Sequence, residues 1–241
     1  MRLFRKPVVP TNKNLESGEA VTQSPSDLEA QIVARIGSLH SPTTAEIRSV
    51  RREFSLRLKK EPGSSIIAIA LRLLGTPQFV FRFIAYELVQ HHQQARQSLN
   101  ARILEQLGAG LDSWAAVDTF ACYLSGPAWR ENQVTSKLIQ RWARSKNHWW
   151  RRAAVVSTVP LNNKARGGSG DARRTLQVCE MLINDRADMV VKAMSWSLRE
   201  LVKHDPAAVD GFLSMHESEL APRVLREVRN KLRTGLKNPT K

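Results

Sequence analysis

From Ser26 to the C-terminus apolar residues return every three or four positions, and no stretch alternates apolar with polar convincingly. In "TTAEIRSVRREFSLRLKK" the stripe is Ile47, Val50, Phe54 and Leu58, and it stops before Pro62-Gly63. "SDLEAQIVARIG" opens on Ser26 as a cap and closes at Gly37. About twelve such segments follow one another with short Gly, Pro, Asp and Asn joints.

Short helices in tight succession must pack against their sequence neighbours, because each buries only one stripe. The expected fold is therefore all-α, a helical-repeat solenoid of the HEAT or armadillo kind with a concave basic groove. No strict sequence period accompanies it, so the repeat is structural only. Residues 1–25, rich in Pro, Ser, Thr and Asn, read as a flexible arm. Residues 26–236 read as one domain and 237–241 as a basic tail. The one long irregular insert, "PLNNKARGGSGDARR", reads as a flexible basic loop.

Charge narrows the partner. The 241 residues carry a formal charge of +15, and it is not spread evenly. Residues 130–174 hold eleven Lys/Arg against two Asp/Glu, and residues 222–241 hold seven against one. A solubilising surface needs no such segregation, whereas a polyanion does, and nucleic acid comes first. The longest apolar run, "SSIIAIALRLLG", is too short to span a bilayer and contains Arg72. The opening "MRLFRKPVVPTNKN" lacks the apolar core of a secretion signal. Cys122 and Cys179 lie in apolar helical patterns and read as buried thiols. A cytoplasmic, nucleoid-associated protein is expected, a monomer because a solenoid closes its own core. His91-His92 lack partners at ligand spacing, so neither metal nor cofactor is expected.

Some large side chains fall where packing does not want them. In "ADMVVKAMSWSLRELVKHD" the apolar stripe is Val190, Val191, Met194, Leu198 and Leu201, and Trp196 lies nearly opposite, near Lys192, Arg199 and Glu200. In "DSWAAVDTFACYLSG" the buried face is Val117, Phe120, Ala121 and Leu124. Trp114 and Asp118, at i and i+4, share its edge. "NHWWRRAAVVS" places Trp149 with Ala153 and Val156 as core and Arg152 at the margin of that face. Arg151 points far round the helix, and Trp150 falls between core and surface.

The pieces "LDSWAAVDTFA", "NHWWRRAAVVS" and "VVKAMSWSLRELVKHDPAAVDGFL", in this order, resemble the DNA alkylation repair family of HEAT-like alkylpurine DNA glycosylases. The similarity runs from about residue 45 to the C-terminus, and Trp150 stands where the family more often has an aliphatic residue. The resemblance implies that Asp118 is the carboxylate for glycosidic bond cleavage and that Trp114 and Trp196 contact the damaged nucleotide. It further implies that Arg152 holds the DNA backbone, with Arg151, Lys192 and Trp150 as further DNA-facing candidates, and that the base stays near the stack instead of being flipped out. The expected partner is duplex DNA carrying N3- or N7-alkylated purines, and the expected reaction is monofunctional hydrolysis. Two other readings use the same charge: a protein that binds damaged or branched DNA without cutting, and a scaffold for acidic proteins.

Overall fold

The computed structural model describes residues 24–239, and among these it is helical with no strand. The expected arm therefore lies outside the described residues, apart from its last two positions. Those two belong to the fold: Ser24, not Ser26, caps the first helix, in a capping box with Asp27, and Pro25 occupies its first turn.

The chain forms fifteen α-helices among the described residues. They are α1 (Pro25–Gly37), α2 (Thr44–Arg57), α3 (Gly63–Leu73), α4 (Phe79–His91), α5 (Gln93–Gln97), α6 (Ala101–Leu107), α7 (Trp114–Phe120) and α8 (Gly126–Arg130). After these come α9 (Ser136–Ala143), α10 (His148–Val156), α11 (Val159–Asn162), α12 (Ala172–Met181), α13 (Asp188–Leu201), α14 (Pro206–Met215) and α15 (Pro222–Thr234). Side chains cap many of them where the sequence suggests: Thr43, Asn100, Ser113, Asn147, Asp171 and Asp205 each accept from a first-turn amide.

Two layers result. Helices α2, α4, α7, α10, α13 and α15 pack each on the next, and we call this the site layer. Behind it α1 packs on α3, α3 on α5 and α6, α9 on α12, and α12 on α14. Glu105 of α6 joins the back layer to α9, accepting from Arg141 at 2.5 Å and from the Trp142 indole at 3.2 Å. The apolar stripes face each other between the layers. All four predicted α2 positions, all five of α13 and all four around α7 are buried. Serial contact between neighbouring helix pairs is the architecture of a helical-repeat solenoid.

The structure has more helices than periodicity suggests because several long segments break. "AWRENQVTSKLIQRWARS" divides at Asn132, whose φ of 60° cannot continue a right-handed helix. The segment after α7 widens into a π turn at Ala121–Ser125 before α8. Pro127 sits just beyond, with no N–H to offer the preceding turn, and a widened turn relieves that conflict. Both cysteines are buried and free as expected, and burial pushes each thiol up to about 12.

The glycine-rich insert is not a flexible loop. Buried Asn162 donates to Thr158 O at 3.1 Å and to Thr175 Oγ1 at 2.8 Å, and it accepts from Asp171 N at 2.9 Å. Gly170 N donates to Leu161 O at 3.0 Å, and His204 Nε2 lies 2.7 Å from Asn162 O. A Cβ on Gly168 would sit 2.4 Å from Pro160 O, and Gly170 adopts φ +101 against His204. These glycines serve close backbone approach and left-handed dihedrals, which composition alone cannot separate from looseness. Among the described residues no helix is long and apolar enough to cross a membrane.

Candidate active site

Three consecutive helices of the site layer build one polar cluster. Ser113 caps α7 through a hydrogen bond from Ala116 N, so Trp114 occupies the first turn and Asp118 the second. Trp114 is 58% exposed, which is unusual for an indole with no shape of its own to fill. Asn147 caps α10 and directs Arg152 toward α7.

Arg152 grips Asp118 with two parallel hydrogen bonds, Nε to Oδ1 at 2.9 Å and Nη2 to Oδ2 at 2.8 Å. Its remaining arm, Nη1, donates to the carbonyl of Met189 at the start of α13. One guanidinium thus ties α7, α10 and α13 together. The fork geometry suits arginine and no other side chain. Arg152 is 5% exposed, whereas the Asp118 side chain keeps 18% of its surface. The pair is closed on the protein side and open only at the carboxylate.

Two forces act on the Asp118 carboxyl. Burial raises its pKa above the ordinary value of 3.8, while the hydrogen bonds and charge of Arg152 pull it back. With a permanently charged guanidinium bonded to both oxygens, the carboxylate is the form present near neutrality. Each oxygen retains lone pairs for a second donor. The cluster can therefore hold a negative charge in a partly dry place and orient a water against it.

The other predicted residues divide. Trp196 lies on α13 half-buried, seven residues or about 10 Å along the axis from Met189 and on nearly the same face. Lys192 pairs with Asp188 at 2.6 Å and is exposed enough to meet a partner. Arg151, expected to face DNA, pairs with Asp185 at 2.6 Å and donates to the carbonyls of Ser145 and Lys146, locking the joint before α10.

Trp149 and Trp150 are both partly buried and both pack against the core. The Trp150 ring packs on Trp142 at 4.9 Å and edge-on to Phe120 at 6.1 Å, and it lies so close over Gly108 that a Cβ there would be 2.4 Å from it. Trp149, expected as core, packs against the core while partly buried, and its outer side meets His148 at 4.5 Å. Helical angle placed Trp150 between core and surface, but it could not see that Gly108 opens a slot for its indole. Arg152 has a duty the sequence did not announce: three of its five N–H donors go to Asp118 and Met189, which holds the carboxylate. The Asp118–Arg152 pairing had no local signal, since the two residues are 34 positions apart.

Fold and site define a class: a helical-repeat protein whose middle helices present a carboxylate–arginine pair beside exposed and half-exposed tryptophans. The family model described as DNA alkylation repair enzyme matches residues 38–232, which includes every helix of this site. The chain belongs to the DNA alkylation repair enzyme family. Comparison with curated proteins gives no match.

Proposed function

We propose that the protein is a monofunctional DNA glycosylase that hydrolyses the N-glycosidic bond of N3- or N7-alkylated purines in duplex DNA. The observation that carries this reading is the Asp118 carboxylate, held by Arg152 on one side and open on the other. Membership of an alkylation-repair family supplies the substrate class.

An N3- or N7-alkylated purine is already cationic, so it leaves without protonation. The bond from C1′ to nitrogen breaks, and its electron pair departs with the base as a neutral alkylpurine. Positive charge develops at C1′, where a carboxylate stabilises it and orients water. The water oxygen bonds to C1′, and the proton it loses passes to Asp118 or to solvent, leaving an abasic site. Arg152 keeps the carboxylate in one orientation and moderates its basicity. The ring faces of Trp114 and Trp196 attract the cationic nucleotide, an effect worth about 0.5–2 kcal/mol at each ring. Arginines of α15 and Lys192 would meet phosphates along the same layer, so binding weakens as salt rises.

A second reading has an observation in its favour. Both Asp118 oxygens are already engaged, as in a purely structural pair, which suits a family member that binds DNA without cutting. One experiment separates them. A duplex with a single N7-methylguanine is incubated with the parent and with Asp118→Asn, and free base and binding are measured together. Hydrolysis requires release by the parent, none by the variant, and binding by both. Tight binding with no release from this duplex or an N3-methyladenine duplex would leave only the binding reading.

A further inference from the structure

Beyond the ends of α4, α7 and α10 the chain makes a second electropositive place. The end of α4, helix α5, the π turn with α8, and the segment after α11 converge on a cavity of about 230 Å³, lined by Gln90, Arg96, Tyr123, Arg130, Glu131 and Arg166 among others. That is smaller than the roughly 300 Å³ at which sites for organic ligands begin, and suits a compact ion.

The three arginines are not equivalent. Arg130 is satisfied by protein: Nη1 donates to the carbonyls of Arg166 and Pro160, and Nη2 pairs with Glu131 at 3.2 Å. Arg166 lies 5.2 Å from the centre of the Tyr123 ring, and among the described residues its side chain has no hydrogen-bond acceptor or acidic partner. Arg96 has no acidic partner among them either, and its Nε is buried with nothing to accept from it.

A structural role does not account for this. Cations beyond helix C-termini complement the backbone dipole by meeting terminal carbonyls. Arg130 does this, whereas Arg96 and Arg166 reach none. Glu131, the one carboxylate in the lining, is already taken by Arg130. The Cys122 thiol, also in the wall, is kept protonated by burial and adds no competing charge. Two guanidiniums that line one cavity with no protein acceptor for their charge leave donors free for an anion.

We propose that this cavity is a phosphate-binding site, separate from the Asp118 cluster, with Arg96 and Arg166 as its principal ligands. The phosphate comes either from the backbone of bound DNA, which rests on the DNA-binding reading above, or from a small free phosphate. Planar guanidinium forks match phosphoryl oxygens, and a cavity this size admits one such group.

The test uses the full chain without alkylated DNA, so its failure is distinct from failure of the glycosylase reading. Thermal unfolding is followed with inorganic phosphate and with chloride at equal ionic strength, for the parent and for Arg96→Gln/Arg166→Gln. Arg96→Gln alone is the substitute if the double variant loses its helical circular dichroism. Phosphate is expected to raise the parent Tm and not that of the variant. Binding of an undamaged duplex is then measured against salt. A slope of log K on log salt that falls by about 1 in the variant assigns the site to DNA phosphate. An unchanged slope with phosphate protection lost assigns it to a small phosphate. No protection of the parent together with an unchanged slope overturns the proposal.

Discussion

Arg152 and Arg96 show two ways of placing an arginine in one molecule. Arg152 donates to both Asp118 oxygens and to the Met189 carbonyl, so every arm of its guanidinium has a protein partner. Arg96 has its Nε buried and unpartnered beside Arg166. The first arrangement is complete and creates an oriented carboxylate. The second is incomplete and leaves donors for something that arrives from outside. Positive charge in this chain is thus partly structural and partly available, and only the tertiary structure sorts one from the other.

The contrast can be broken most severely at Asp118. Asp118→Asn keeps a hydrogen-bonding side chain but loses the charge, and base release should fall by about 10²-fold or more, as for loss of a catalytic acid–base group. Removing the other half has a different signature. Arg152→Ala strands a buried carboxylate and unties three helices, and should lower unfolding stability by about 3–5 kcal/mol in denaturant titration, with release lost as well. Gly108→Val asks the Trp150 indole to leave its slot between Phe120 and Trp142. That should cost about 1–3 kcal/mol by the same measurement, as overpacking does. Arg96→Gln removes a donor that no protein group uses and should change stability in chloride by less than about 0.5 kcal/mol. If Arg96→Gln were as damaging as Arg152→Ala, the two arginines would not differ in kind.

Much of this was legible in the sequence, for a reason particular residues make plain. The stripes of α2, α7 and α13 are periodic, so their buried faces follow from helical angles alone, and Trp196 stood out because it broke that pattern. Caps such as Thr43 and Asn147 announce themselves by residue type. What stayed hidden depends on partners distant in sequence. Asp185 pairs with Arg151, Gly108 admits Trp150, and Asn162 with His204 turns a glycine-rich insert into a packed turn. The cavity at Arg96 and Arg166 joins residues 70 positions apart and has no local signature.

The central claim is that Asp118 works as a carboxylate whose environment is partly dry. Burial raises its pKa in the folded protein, so the protonated, inactive form should appear on the acid side at a higher pH than an unperturbed carboxyl, whose value is 3.8, would give. By the same sign, ionising Asp118 works against folding, and its contribution to stability declines as pH rises from the unfolded value through the folded one. The decisive measurement is the single-turnover rate of N7-methylguanine release against pH. The parent is expected to show an acid limb at a higher pH than an unperturbed aspartate gives, with no such limb in any residual rate of Asp118→Asn. A parent rate that stays flat to low pH, or the same limb surviving in the variant, would contradict it.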